Sequence, residues 1–214
     1  KKNLIAGFNI SCVGDEKGFS MLTSKQENSI ADKALLSALF KKKNFIKFNF
    51  LERGSDERQF CSPLLNLPYC NFSRSLFGKY KEYHTSLDNL DFVKAENLAD
   101  TLVLYMRTII NLERNNTYMS KNPCAEPMLG KRGLYPKMGG DQKQKATAKN
   151  SATEHFQDSS ILLGDEIEAM MWVLFYSDGQ NSIMDIAEKT KMPVSQIFEK
   201  AELLLQNKLL KLCD

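Results

Sequence analysis

The chain has 214 residues and a formal net charge of +3 at pH 7, which is too small to indicate nucleic-acid binding by itself. Its hydrophobic content of 43% and charged content of 26% are those of an ordinary globular protein with one large domain or two small ones. No apolar run approaches the roughly 20 residues that a membrane-spanning helix needs, so no membrane segment is predicted.

The cysteines indicate a reducing compartment. There are five of them, an odd number, widely spaced and without a Cys-x-x-Cys pair (Cys12, Cys61, Cys70, Cys124 and Cys213). This pattern favours free thiols over a disulfide framework or a cysteine-rich zinc site. Residues 1–10 begin with two lysines but lack the long apolar region of a secretory signal. We therefore expect a cytoplasmic protein.

The first half of the chain has the pattern of an α/β domain. Residues 3–13 are apolar and β-branched enough for a buried strand, and residues 45–50 alternate with the period of two that is typical of a strand. Residues 26–43 and 94–115 carry apolar side chains at helical spacing. A long loop region with Gly, Ser and Pro residues precedes the second helix. In such folds the functional loops follow the carboxyl ends of strands.

The helix predicted over residues 94–115 is the clearest of the chain. Its spacing predicts an inward apolar stripe of five side chains: Leu98, Leu102, Tyr105, Ile109 and Leu112.

The second half begins with a polar segment, residues 137–160, which has the composition of a linker. His155 lies in this segment, and we expect it to be solvated and not a metal ligand. The composition therefore predicts a first domain over residues 1–136 and a second over residues 161–214.

The second domain is predicted to be a winged helix. Residues 165–176 form an apolar helix, Ser182 is placed to cap a short second helix, and Pro193 begins a third. Residues 208–212 then resemble a strand. Three helices followed by a strand give a winged-helix arrangement, which includes a helix-turn-helix.

The charges of this second domain argue against DNA. Residues 165–214 hold nine acidic side chains against five lysines, a net charge of −4. Because phosphate neutralisation dominates DNA affinity, nucleic acid is not an expected partner. A winged helix that docks a protein fits this composition better.

The segment of residues 82–91, which reads Glu-Tyr-His-Thr-Ser-Leu-Asp-Asn-Leu-Asp, is the first candidate for a site. A histidine followed by carboxylates is a common metal-binding arrangement, with His84 as ligand. A hydroxyl-rich turn with a solvated histidine is the alternative. The second candidate is the charged run of residues 56–58, for which a surface salt-bridge cluster is the alternative.

Three segments in this order resemble the zinc aminopeptidase superfamily, which includes glutamate carboxypeptidases and glutaminyl cyclases. They are the strand of residues 8–15, the segment 54–60 and the segment 83–88. Residues 54–84 and 126–136 resemble more closely the aminopeptidase-like proteins that are encoded among polysaccharide-biosynthesis genes. The resemblance covers essentially the whole chain. It implies a partial phosphorylase/aminopeptidase-like three-layer α/β domain followed by a small winged-helix domain.

The resemblance also implies a zinc site and a substrate cleft. His84 would be the last zinc ligand, Asp15 a second ligand, and Asp88 or Asp91 would fix the His84 loop. Four residues would line the substrate side of the cleft: Asp56, Glu57, Arg58 and Tyr83.

Two features depart from the superfamily's pattern. Ser11 stands where the superfamily has a ligand Asp, so that Asp15, four residues later, would replace it. The superfamily's first metal His, its bridging Asp and its Glu base would precede Lys1. Because a zinc-hydroxide mechanism needs several ligands and a base, no catalytic residue is assigned. The chain is therefore expected to be either the C-terminal part of a longer enzyme or a truncated relative without hydrolase activity.

Two functions remain open from the sequence. The first is a zinc hydrolase that acts on a peptide or amide bond, in a peptide-like or amino-sugar-linked small substrate. The alternative is a non-enzymatic interaction module with a vestigial metal site. A truncated sheet would also leave an exposed edge strand, which predicts self-association.

Overall fold

The computed structural model describes residues 3–135 and 159–213. It divides into two compact units, Lys1–Glu113 and Arg114–Asp214, each of which has its own sheet. The sequence placed the end of the first domain at residue 136, whereas the structural division lies at Glu113. Most of the predicted linker, with His155, falls outside the described residues.

The first unit is built on a four-stranded mixed sheet. Its strands are β1 (Gly7–Ile10), β2 (Phe19–Leu22), β3 (Phe45–Phe48) and β4 (Tyr69–Ser73). They lie in the order β1-β4-β2-β3. β1 runs parallel to β4, and β3 runs parallel to β2, while β2 and β4 are antiparallel. The carboxyl ends of β1 and β4 therefore lie beside the amino ends of β2 and β3.

Strands β2 and β4 have no counterpart in the sequence analysis. Their sequences do not show the alternation of apolar and polar residues that predicts a strand, because both faces of these strands are buried and some of the buried residues are polar. Asn9 donates to the Asn71 side chain at 2.9 Å, and the hydroxyls of Ser20 and Ser73 lie 2.9 Å apart. These pairs cross β1, β4 and β2 on one face of the sheet, so the polar side chains satisfy one another across the strands.

The helices of the first unit are α1 (Ile30–Ala38), the single turn α2 (Glu57–Phe60) and α3 (Ala95–Glu113), with a short 3-10 helix at Phe50–Glu52. α1 and α3 cover the apolar face of the sheet. The core there joins nine residues of the helices, the strands and the residue after α1: Phe19, Met21, Ala31, Leu35, Ala38, Leu39, Cys70, Phe72 and Leu104.

The predicted inward stripe of α3 is wrong at two positions. Leu102 is 60% exposed and Leu98 is 44% exposed, whereas Leu104 is only 2% exposed. The helix instead turns Thr101 and Thr108 inward, and their hydroxyls donate to main-chain carbonyls such as Leu104 O at 3.0 Å. Because threonine can satisfy its hydroxyl in this way, a buried helical face need not be the most apolar one.

The second unit combines helices with a three-stranded antiparallel sheet. Its elements are β5 (Thr117–Ser120), a 3-10 helix (Gly130–Arg132), α4 (Ser159–Tyr176), β6 (Asp178–Ser182), α5 (Ile183–Thr190), α6 (Val194–Gln206) and β7 (Leu210–Leu212). The strands lie in the order β6-β5-β7. The predicted helices and the final strand are therefore present. β5 pairs with both other strands, so residues 117–120 belong to this unit.

The predictions about thiols and membrane segments can be compared directly with the structure. All five cysteines are free thiols. Within residues 3–135 and 159–213, no helix combines the length and the apolar character needed to cross a bilayer.

Candidate functional site

Asp15 lies at the carboxyl end of β4 and is 2% exposed. One of its carboxylate oxygens accepts the backbone N–H of Lys17 at 2.8 Å, and the other accepts that of Ser75, the second residue after β4, at 3.1 Å. The loop after β1 and the loop after β4 therefore meet at this carboxylate. Hydrogen bonds from backbone amides stabilise the charged form of a buried acid.

Tyr80, whose ring centroid lies 5.7 Å from Nζ of Lys17, was missed by the sequence analysis. Burial raises the pKa of its hydroxyl, and so do a hydrogen bond with Cys12 and the negative charges of Asp88 and Asp15. Its neutral hydroxyl therefore lies in the neighbourhood of both predicted carboxylates. The residue stands four positions before His84 and two residues before the segment 82–91 that the sequence singled out.

His84 is exposed and has a left-handed backbone conformation, with a φ angle of 58°. Its ring stacks on the ring of Tyr83 with centroids 4.0 Å apart, and Tyr83 in turn contacts Tyr80 at 5.6 Å. The hydroxyl of Thr85 donates to Glu82 O at 2.8 Å. The local structure is thus a hydroxyl-bridged turn that presents an accessible imidazole beside aromatic rings.

The segment of residues 56–58 forms the start of α2. Glu57 is fully buried, and its Oε1 accepts the backbone N–H groups of Gly54 at 2.7 Å and Ser55 at 2.8 Å. Asp56 and Arg58 are exposed, and Arg58 donates from its Nε to Ser55 O at 3.2 Å. Glu57 therefore closes a tight turn, while its two neighbours point into solvent.

The turn begins at Gly54, beside the Phe77 ring of the loop after β4, and α2 then leads to the amino end of β4. Cys61, which caps α2, donates to Tyr69 O at 3.3 Å, and Tyr69 is the first residue of β4. A strand of five residues spans about 17 Å. The loop after β4 contacts both predicted regions: Ser75 donates its backbone N–H to Asp15, and the Phe77 ring lies against Gly54, where the turn closed by Glu57 begins.

The described residues do not form a complete zinc site. A zinc centre takes about four ligands from Cys, His, Asp and Glu, at least three of them from the protein. Across the residues that the structure describes, no group of three or more such side chains could hold a metal ion. His84 has an accessible imidazole, but both oxygens of Asp15 already accept backbone hydrogen bonds.

A family model covers the fold that carries these residues. Residues 1–115 match the model described as "Domain of unknown function (DUF4910)". This is more than half of the chain. The chain belongs to the DUF4910 family. In addition, residues 116–153 and 157–212 match a winged helix-turn-helix model, which confirms the predicted winged helix.

Two comparisons confirm the resemblance to aminopeptidase-like proteins. A Clostridium acetobutylicum protein, described as acting in polysaccharide biosynthesis and as having an aminopeptidase-like domain, is 38% identical over 212 residues. The match takes in 99% of the DUF4910 chain but only 44% of that relative. A crystal structure of a protein described as a peptidase, also from Clostridium acetobutylicum, superposes with a TM-score of 0.79 at 35% identity. It covers 99% of this chain and 43% of that one.

Proposed function

We propose that this DUF4910 chain is part of an aminopeptidase-like hydrolase that acts on a peptide or amide bond. The observation that carries the proposal is the superposition on a protein described as a peptidase, with a TM-score of 0.79 over 99% of the chain. The substrate class we propose is a peptide-like or amino-sugar-linked small molecule. The relative named for polysaccharide biosynthesis supports the second of these.

Zinc is the metal that we propose for the complete site, with His84 as its ligand from this chain. A neutral imidazole is a good zinc ligand, and His84 is exposed on its turn. We keep Asp15 as the other ligand, since each carboxylate oxygen has a lone pair beyond the one that its backbone hydrogen bond uses. Asp88 stays proposed as the residue that fixes the His84 loop. No catalytic step through the metal follows from the described residues, because they provide no third ligand.

We propose fewer residues as substrate contacts than the sequence predicted. Tyr83 stays a proposed contact, because its ring stacks directly on His84. Glu57 is not proposed as a contact, because it is fully buried and closes a turn. Asp56 and Arg58, which are exposed, stay proposed for the substrate side of the cleft.

Metal analysis of the purified chain tests this proposal. We expect about one zinc per chain, lost in His84→Ala and retained in His155→Ala, which removes the only other histidine of the sequence. Hydrolysis of a dipeptide amide, followed by release of the free amine, is the parallel assay. Absence of zinc from the unaltered chain and from both variants would exclude a metallohydrolase role for these 214 residues by themselves.

One observation favours a second function, that of an interaction module. The winged-helix unit, residues 114–214, has 13 acidic and 13 basic side chains, and its part over residues 165–214 has nine acidic side chains against five lysines. This absence of a net positive charge suits a protein partner better than DNA. A duplex-binding titration tests the point. Affinity that falls steeply with salt would contradict it, while no binding at low salt is the expected result.

Two further expectations belong to this proposal. Free thiols at all five cysteines are typical of proteins from a reducing compartment, so we place the protein in the cytoplasm. Self-association is the other. The edge strands β1 and β3 support it, because among the described residues each pairs with a single neighbouring strand.

A further inference from the structure

A pocket of about 480 Å³ opens where the carboxyl end of β4 meets the amino ends of β2 and β3. Three chain segments, residues 17–20, 43–48 and 74–79, provide its lining residues. All of them belong to the first unit. None of the site residues predicted from the sequence lines this pocket.

The pocket is lined by cations. Its four charged lining residues are Lys17, Lys43, Arg74 and Lys79, and no carboxylate lines it. Two of the four have acidic partners, since Arg74 pairs with Asp100 at 3.3 Å and Lys79 pairs with Glu52 at 2.9 Å. For Lys17 and Lys43 there is no ion pair within the part of the chain that the structure describes. The pocket therefore keeps uncompensated positive charge.

Arg74 is held rigidly at the pocket wall. Its side chain is about nine-tenths buried, and its guanidinium lies 4.7 Å from the centroid of the Phe19 ring. Its Nε donates to Lys17 O at 3.1 Å. This pre-organised cation differs from the two exposed lysines, which can move toward a ligand.

Ser75 provides the second, independent observation. It is 6% exposed and lines the pocket, and its hydroxyl has no hydrogen-bond partner among the described residues. A buried hydroxyl is nearly always paired in a native protein. The Ser75 oxygen has almost no accessible surface, so rotation of its side chain is needed to bring the hydroxyl to a ligand in the pocket. Beside lysines, the group that suits this hydroxyl is an acceptor with negative charge.

The remaining wall is apolar. Phe19, Phe45, Phe48 and Ile46 contribute carbon surface beside the cations. A pocket with an apolar wall and a few convergent polar groups is the usual form of a small-molecule site. The volume exceeds that of an oxyanion alone, so the ligand is expected to carry a carbon skeleton as well.

We propose that this pocket binds the oxyanion group, a phosphate or a carboxylate, of a small organic ligand. Lys17 and Lys43 neutralise the oxyanion, Arg74 forms the fixed wall beside it, the Ser75 side chain rotates to donate its hydroxyl to it, and the phenylalanine rings contact the ligand's carbon skeleton. The proposal does not rest on hydrolase activity. It does connect to the candidate site, because Lys17 and Ser75 are the two residues whose backbone amides hold Asp15.

Isothermal titration of the chain at low ionic strength tests the proposal, with four probes: inorganic phosphate, glucose 6-phosphate, glucuronate and uncharged glucose. We expect saturable binding of at least one anion and none of glucose. Binding of glucose 6-phosphate but not glucuronate identifies a phosphate as the preferred group, and the reverse result identifies a carboxylate. No saturable binding of any of the three anions would overturn the proposal.

Charge variants assign the binding to this pocket. Lys43→Gln and Lys17→Gln are each expected to weaken anion binding about tenfold, the effect of losing one charge-assisted contact. The matched control is Lys47→Gln, which removes an exposed charge from the same strand as the lining residues Phe45 and Phe48, at a position outside the pocket. Equal weakening by Lys47→Gln and Lys43→Gln would show diffuse attraction to the surface and would contradict the proposal.

Ser75→Ala separates a ligand contact from a structural role. The hydroxyl has no partner among the described residues, so its removal is expected to leave the melting temperature unchanged or slightly raised. Affinity for the anion is expected to fall several-fold at the same time. Unchanged affinity in Ser75→Ala would remove the serine from the site, and unchanged affinity in the two lysine variants as well would refute the site altogether.

Discussion

The two units contain nearly the same four-residue helix start, and the comparison between them separates local from tertiary effects. Ser29-Ile30-Ala31-Asp32 begins α1, and Ser182-Ile183-Met184-Asp185 begins α5. Each forms a capping box, in which the serine hydroxyl accepts from the N–H three residues later and the aspartate accepts from the serine N–H. The two starts have the same hydrogen-bond pattern.

Their surroundings differ. Asp32 is fully buried and also accepts the backbone N–H of Ser24 at 2.8 Å and the Ser24 hydroxyl at 2.5 Å. Asp185 is half-buried. The carboxylate of the first unit therefore joins the end of β2 to α1, in addition to capping the helix. The same motif is therefore expected to contribute differently to the stability of each unit, because the residues around it differ.

Removal of the two aspartates gives the largest expected difference. Asp32→Ala is expected to lower the free energy of unfolding by about 3 to 4 kcal/mol, because it leaves several buried donors unpaired. Asp185→Ala is expected to lower it by about 1 kcal/mol, the usual effect of losing a cap. Urea unfolding followed by circular dichroism measures both, and fluorescence of Trp172, the single tryptophan, reports on the second unit. Equal losses of unfolding free energy in the two variants would contradict the difference that we expect between the two helix starts.

Two leucines of α3 extend the comparison to packing. Leu104 is 2% exposed and belongs to the core, whereas Leu102, two residues earlier, is 60% exposed. Leu104→Ala is expected to lower the free energy of unfolding by about 3 kcal/mol, since it leaves a cavity. Leu102→Ala is expected to change it by less than about 0.5 kcal/mol. If Leu102→Ala lowered the free energy of unfolding as much as Leu104→Ala, Leu102 would face the core, as the sequence predicted.

A tyrosine of the second unit gives a smaller, pH-dependent effect. Burial and the hydrogen bond from its hydroxyl to Glu202, at 2.9 Å, raise the pKa of Tyr118 to about 12 from the ordinary value of 10. The protonated form is therefore favoured in the folded state. This stabilisation is complete below pH 10 and is lost as the pH rises through 12.

Tyr118→Phe tests that assignment. We expect it to lower the free energy of unfolding by about 1 kcal/mol at neutral pH, because the bond to Glu202 is lost. It should also remove most of the decline in stability between pH 10 and 12, which is about 2 kcal/mol in the unaltered protein. Denaturant unfolding at pH 7, 10 and 12 measures this. An unchanged decline in the variant would show that other groups cause it.

His84→Ala has the smallest expected effect on stability. The imidazole is exposed, and its one ring contact among the described residues is with Tyr83, so we expect a change of less than about 0.5 kcal/mol in the free energy of unfolding. Thermal unfolding checks it and also validates the variant for the zinc measurement. A loss above 1 kcal/mol would show that the ring supports the loop.

The sequence predicted the elements whose patterns are local. The helices over residues 94–115 and 165–176, the Ser182 cap and the last strand depend on neighbouring residues, and all appear in the structure. β2 and β4 were missed, because Ser20, Asn71 and Ser73 are buried and find partners only across the sheet. The Ser29 cap was also missed, although its motif is the same as that of Ser182.

The sequence by itself determined the family, the winged helix and the position of His84 in a hydroxyl-rich turn, because each depends on residue order or short-range spacing. Only the tertiary structure decided which residues share a site. It placed Asp15 against Ser75 and buried Glu57 at the start of α2, because these contacts depend on residues that are distant in the chain or on burial. It also gathered Lys17, Lys43 and Arg74 around one pocket. The three segments that carry these residues are not related by any periodicity along the chain. They come together through the pairing of β2, β3 and β4.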